Sequence, residues 1–157
     1  MTELILASAS PRRRELLAGM GYAFSVQPAD IDETPFPDEE PKAHVLRLAQ
    51  AKAAVVAEQY RGRVVLAADT IVVLAGNILG KPRDAADAVT MLGQLAGSEH
   101  EVMTAIALRR EHAEQHHLCV STVRFRRLDM DEIQAYVASG EPLDKAGAYG
   151  IQGPAGA

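Results

Sequence analysis

The first apolar run, "LILA" at residues 4–7, is too short for a helix and ends in Ser-Ala-Ser-Pro, so it predicts a short buried strand. "SPRRRELLAGMG" predicts a helix with Ser10 as N-cap, Pro11 in the first helical position and Gly19 or Gly21 at its end. "FSVQPA" predicts a second strand. "DIDETPFPDEEP" carries three prolines and six acids, which predicts a surface loop. Over residues 42–60, Val45, Ala49, Lys52 and Val56 recur at helical spacing, placing Lys52 on or beside an apolar stripe. "VVLAADTIVVL" predicts one bent strand or two abutting strands, interrupted at Asp69 and Thr70. "AGN" then supplies a turn, "GKPRD" a loop, and "AADAVTMLGQLAG" a helix that Gly97 ends. "HEVMTAIALRR" and "HHLCVSTVRFRRL" alternate as paired strands joined by the polar "EHAEQ". Asp129 with Glu132 resembles a capping box for a last helix over residues 130–139, and a glycine-rich segment follows. Alternating strands and helices followed by an antiparallel pair predict an α/β fold, a mixed sheet with helices packed against it.

In such sheets ligands gather at the carboxyl ends of strands. The junction at residues 8–13 and the break at Asp69 are the candidates for that edge. "SASPRRR" offers free N–H groups at a helix start, the hydroxyls of Ser8 and Ser10, and guanidinium forks, which suit a phosphate chain. A solvated basic turn accounts for the same residues equally well. Successive helical side chains fan out by ~100°, so Arg12 and Arg13 are the candidates and Arg14 belongs to the surface. Cations at a helix start are mildly unfavourable beside the dipole, which calls for a compensating anion.

An acid inside "VVLAADTIVVL" is costly to bury without a partner. Asp69 therefore needs a lysine, a metal ion or a hydrogen-bonding shell, and Lys52, Lys81 and Arg13 are cations in plausible places. A carboxylate near a divalent ion could bind it or deprotonate an attacking water. "GNILGKP" is not a phosphate-binding P-loop: its glycines are one residue too close, and Pro82 stands where Ser or Thr would ligate magnesium. Lys81 remains a point charge on a loop. Among Asp30, Asp32 and Glu33, a solvated loop is the stronger reading for all but Glu33. His116 and His117 are adjacent on a strand and point to opposite faces, so they read as structural. In "DKAGAYGIQG" the glycines permit close backbone approach, and Gln152 offers a donor and an acceptor for a base edge.

The 157 residues suffice for one domain with a core. With 48% hydrophobic and 24% charged residues the chain is of the soluble globular class. A net charge of −5 and only 4% aromatic residues argue against nucleic-acid and anionic-membrane binding. A lone cysteine, Cys119, and the lack of a 20-residue apolar span or signal sequence predict a cytoplasmic protein.

Together, "LASASPRRRELL", "RLAQAKA", "AADTIVV", "GKPRDAADAVTMLGQLAG", "HEVMTA" and "EPLDKAGAYGIQG" resemble the Maf family of nucleoside triphosphate pyrophosphatases, in order along the whole chain. The resemblance implies cleavage between the α and β phosphates, with a divalent cation, Mg2+ or Mn2+, as cofactor. It implies that Asp69 is the catalytic acid that accepts a proton from water. Ser8, Arg13, Glu33, Lys52 and Lys81 match positions lining the phosphate and metal site, with Glu33 and Asp69 on the metal. Arg12, Thr70 and Gln152 match positions tied to substrate choice. "ADT" with "AYGIQG" resembles the branch acting on dTTP and UTP; alternatives are a pyrophosphatase for 7-methyl-GTP or another modified nucleotide, and a non-catalytic nucleotide-binding regulator of cell division. The implied fold is an elongated mixed sheet flanked by helices, with two lobes around a cleft, akin to inosine triphosphate pyrophosphatases, and the family is often dimeric. Residues 1–157 read as a single domain of this kind that lacks the family's C-terminal strand and helix.

Overall fold

The structure, a computed structural model, describes residues 3–150. Its elements are β1 (Leu4–Leu6), α1 (Pro11–Gly19), β2 (Phe24–Val26), α2 (Pro41–Gln59), β3 (Val64–Leu74), β4 (Asn77–Leu79), α3 (Ala85–Leu95), β5 (Glu99–Arg110), β6 (Ala113–Arg124) and α4 (Met130–Ala138). Two short 3₁₀ turns, Glu141–Asp144 and Ala146–Ala148, follow α4. The strands form a mixed sheet in the order β2-β1-β3-β5-β6, with β4 paired to β3 off that path. Parallel neighbours need long crossovers. β1 accordingly pairs parallel with β2, Leu4 opposite Phe24, and with β3, Leu4 opposite Val64, while α1 and α2 supply the intervening connections.

Two compact units divide the chain. The first comprises the chain up to Asp69 together with Thr104–Cys119; the second comprises Thr70–Met103 and the chain from Val120 onward. In the first, α2 buries Val45, Ala49 and Val56 of the helical stripe that the sequence predicts, together with Leu48 and Ala53. Each such valine or leucine gains about 1.5–3 kcal/mol from leaving water. α1 buries only Leu17, so its caps matter more: Ser10 Oγ accepts from Arg13 N–H, and Pro11 opens the helix. In the second unit, α3 and α4 pack Ala88, Leu92, Leu95, Ile133 and Val137 around Val72, Ala148 and Tyr149. Asp129 caps α4 by accepting from Glu132 N–H, as expected, but the Glu132 carboxylate turns to Arg126 instead of closing the box.

Two details differ from the sequence reading. The segment after "AG" is not all turn and loop, since Asn77–Leu79 forms β4 and pairs antiparallel with β3, Leu74 opposite Asn77. Ala75 and Gly76 both take positive φ, 50° and 81°, as a two-residue hairpin loop requires. The link between β5 and β6 is only Glu111 and His112, so Ala113 to Gln115 belong to β6. Two residues can join only antiparallel strands. β6 is exposed along most of its length, His116, His117 and Cys119 included. Among the described residues no helix is long and apolar enough to cross a membrane.

Candidate active site

Lys52 rises from the middle of α2, and its ammonium holds two carboxylates. Nζ lies 3.0 Å from Asp69 Oδ1 and 2.7 Å from Glu33 Oε1. Asp69 is 8% exposed, at the end of the part of β3 that belongs to the first unit. Leaving such a carboxylate unpaired would cost several kcal/mol, and Lys52 answers the need for a partner. Arg13, in the first turn of α1, donates from Nη1 to Ala68 O at 3.0 Å, one residue before Asp69. Strand β3, helix α2 and the start of α1 thus each deliver one charged group.

The electrostatics follow from two cations gathered around a buried carboxylate, Asp69, with the exposed carboxylate of Glu33 on the outer side of Lys52. Burial pushes the Asp69 carboxyl above its ordinary value, and Glu33 adds to the rise, while Lys52 and Arg13 oppose it. Burial lowers the Arg13 guanidinium, against the pull of Asp69 and Glu33, but an arginine remains charged at any ordinary pH. A carboxylate lifted toward neutrality is a better proton acceptor than a free one. Ser8 is buried beside this group of residues in the sequence, and its Oγ accepts from Ser10 N–H at 3.1 Å, shaping the turn into α1.

The loop bearing Glu33 is held by residues that the sequence reading did not single out. Arg47 donates to Glu39 at 2.7 and 2.9 Å and to Thr34 O at 3.2 Å, and its guanidinium covers the Phe36 ring at 3.8 Å. His44 Nδ1 lies 3.0 Å from the same Glu39 carboxylate. Helix α2 therefore presents Lys52 and also anchors the loop that carries its second carboxylate. An arginine five residues before Lys52, facing an acid-rich loop, was the available signal.

The remaining candidates fall as follows. Arg12 is exposed and pairs with Glu15 at 3.7 Å, and Arg14 is exposed as expected. Asp32 accepts from Thr34 N–H and serves the turn, and Asp30 is exposed. Thr70 and Lys81 belong to the second unit, Lys81 exposed on the loop after β4. Gln152 lies outside the described residues. Among those residues no three His, Cys, Asp or Glu side chains gather as a ready metal cage. The convergence of Glu33 and Asp69 does fit Mg2+ or Mn2+, hard ions commonly held by one or two carboxylates together with substrate phosphates.

The sequence model of the family described as Maf-like protein matches residues 3–157. The dTTP/UTP pyrophosphatase of Myxococcus xanthus is 56% identical over 156 residues, covering 99% of this chain and 79% of that protein. The protein of the same name from Anaeromyxobacter dehalogenans is 54% identical over 158 residues, covering 98% and 79%. Among solved structures, the Staphylococcus aureus Ham1 protein aligns with a TM-score of 0.52 at 16% identity, over 78% of this chain and 70% of that one. That last likeness is one of fold.

Proposed function

The chain belongs to the Maf family, and from that membership we propose that it is a nucleoside triphosphate pyrophosphatase that hydrolyses dTTP and UTP to the monophosphate and pyrophosphate. The observation that carries the mechanism is the buried Asp69 held by Lys52 beside Arg13. Asp69 accepts a proton from water, whose oxygen forms a bond to the α-phosphorus while the bond to the α–β bridging oxygen breaks. Pyrophosphate leaves with the electron pair. Lys52 and Arg13 neutralise charge on the phosphoryl oxygens, and the Ser8 hydroxyl donates to an anionic oxygen beside them. The cations at the helix start find their compensating anion in the triphosphate.

Glu33 and Asp69 hold the divalent cation, Mg2+ or Mn2+. When bound, that ion adds positive charge beside the phosphates. Lys81 contacts the phosphate chain, and Arg12, Thr70 and Gln152 govern the choice of base. The enzyme works in the cytoplasm as a homodimer, without nucleic acid or membrane partners; the exposed apolar side chains Ile106 and Leu108 on β5 support a protein contact there. The test is incubation with Mg2+ or Mn2+ and a panel of nucleoside triphosphates, reading pyrophosphate against orthophosphate. Pyrophosphate chiefly from dTTP and UTP is the expected result. Release from 7-methyl-GTP instead would keep the reaction and overturn the substrate.

A further inference from the structure

Four consecutive residues after α4 are each held by a hydrogen bond, three of them to other segments of the second unit. Gly147 N–H donates to Gly80 O at 3.1 Å, and Ala148 N–H donates to Lys145 O at 3.0 Å. The Tyr149 hydroxyl lies 2.6 Å from His100 Nε2, and Gly150 N–H donates to the Tyr136 hydroxyl at 3.2 Å. Gly147 has φ +70°, and a Cβ there would meet Val72 Cγ2 at 2.8 Å. Ala148 is also left-handed, at φ 65°, a conformation that a residue with a Cβ resists. The bonds around it impose that shape on the chain.

The chemistry of His100 argues against simple filling. It is 3% exposed and meets Phe125 and Tyr149 edge-on, with centroids 5.1 and 5.4 Å apart. Burial holds its imidazole below the usual value and pushes the Tyr149 phenol up to about 12, so both are neutral near pH 7. They share one hydrogen bond, whose direction follows the imidazole tautomer. His100 Nδ1 has no partner among the described residues. A phenylalanine would fill the same space without burying an unpaired nitrogen. The polar pair is retained at a cost, and what it fixes is the hydroxyl of Tyr149.

We propose that His100, Tyr136 and Tyr149 are positioning residues for nucleotide binding: they fix the backbone through Gly150, and the Gly147–Gly80 hydrogen bond makes the same clamp set the loop that carries Lys81. This rests on the dTTP/UTP reading above, which gives Lys81 a phosphate contact and places base choice just beyond Gly150 in sequence.

The test uses the full chain with Tyr149→Phe and the milder Tyr136→Phe, which removes the hydroxyl that accepts from Gly150 N–H. The double variant His100→Phe/Tyr149→Phe restores an all-apolar packing as a stability control. Steady-state kinetics with dTTP and UTP are read beside backbone amide signals of Gly80, Lys81, Gly147 and Gly150. In Tyr149→Phe, KM rises about tenfold with kcat nearly unchanged, and the signals of Gly80 and Lys81 move with those of Gly147 and Gly150. The double variant recovers the melting temperature but not KM. A fall in kcat alone, proportional to lost folded protein, would overturn the proposal, as would unmoved signals at Gly80 and Lys81. If the wild-type protein acts on neither nucleotide, the functional reading is what fails. The amide signals then still decide whether the clamp sets the Lys81 loop.

Discussion

Lys52 Nζ donates to Asp69 Oδ1 across 3.0 Å, joining the middle of α2 to a buried acid in β3. The pair is not there for stability alone. Burial keeps the Asp69 carboxyl above its ordinary value even with Lys52 in place, so the native state is still strained toward the protonated form. Between the ordinary and the raised value, the native protein binds a proton that the unfolded chain has released. The associated stability is present at low pH and is lost as pH rises through that interval.

Asp69→Asn therefore separates stability from turnover. The neutral amide removes the cost of a buried charge, and Lys52 keeps Glu33 as a partner. The melting temperature at pH 7 is expected to rise, by a gain on the order of 1 kcal/mol, with a smaller gain at acid pH. Pyrophosphate release should fall by roughly 10²–10⁴-fold, the usual contribution of a general base. Retained turnover in a folded Asp69→Asn protein would remove Asp69 from the chemistry.

Lys52→Met tests the same pair from the other side. The stem is replaced by an apolar chain of similar length, and Asp69 loses the cation that opposes its upward shift. The acidic limb of the kcat/KM profile is expected to move to higher pH. Stability should drop by up to about 3–5 kcal/mol, the range for breaking a buried ion pair. An unmoved acidic limb would mean that the limb does not report Asp69.

The Glu39 carboxylate gives a second pH signature of opposite sign. Hydrogen bonds from Arg47 above all, then from Phe36 N–H and His44, pull it from 4.5 down to about 2. A depressed acid stabilises the fold above its ordinary value, and that contribution is lost as pH falls from about 4.5 toward about 2. Glu39→Gln is expected to lower the melting temperature at pH 7 and to flatten its fall over that acid range. A parallel downward shift at every pH would show that the carboxylate charge is not what Arg47 uses.

Much of this site was legible before the structure because each feature broke a local rule. Asp69 interrupts an apolar strand, and Lys52 interrupts an apolar helical stripe; burial then forces the two toward each other. The α1 start was legible because Ser10 and Pro11 carry cap chemistry in adjacent positions. What stayed hidden has no period of its own. β4 is three residues long, too short for alternation to register, and lies inside a stretch dominated by turn residues. The Arg47–Glu39 anchor joins side chains eight residues apart across a loop, which no periodicity reports. His100 reads as one polar residue at a strand start, and only packing reveals it as buried against Tyr149.

The β3–β4 turn offers a purely conformational prediction. Ala75 holds φ 50° ahead of Gly76 at 81°, where a two-residue hairpin loop prefers Asn-Gly. An asparagine tolerates the left-handed region better than alanine does. Ala75→Asn should stabilise the protein by about 0.5–1 kcal/mol, seen as a rise of roughly 2 °C in melting temperature, with pyrophosphate release unchanged. No rise would indicate that the turn relaxes without cost.

Arg12 and Arg13 are neighbours in sequence and should behave differently. Arg13 is partly buried and donates to Ala68 O, so the planar fork is held in place before any ligand arrives. Lysine cannot reproduce that fork: its single ammonium can replace the charge but not the second simultaneous contact. Arg13→Lys is expected to raise KM for dTTP and UTP about tenfold, a loss near 1.4 kcal/mol. Arg12 is exposed, and its ion pair with Glu15 at 3.7 Å is of the kind worth at most about 1 kcal/mol. Arg12→Ala should leave the melting temperature within about 1 °C of wild type while changing the ratio of kcat/KM between dTTP and other triphosphates. Arg12→Ala with an unchanged ratio would return that residue to the surface, leaving Arg13 as the arginine of this turn that meets the substrate.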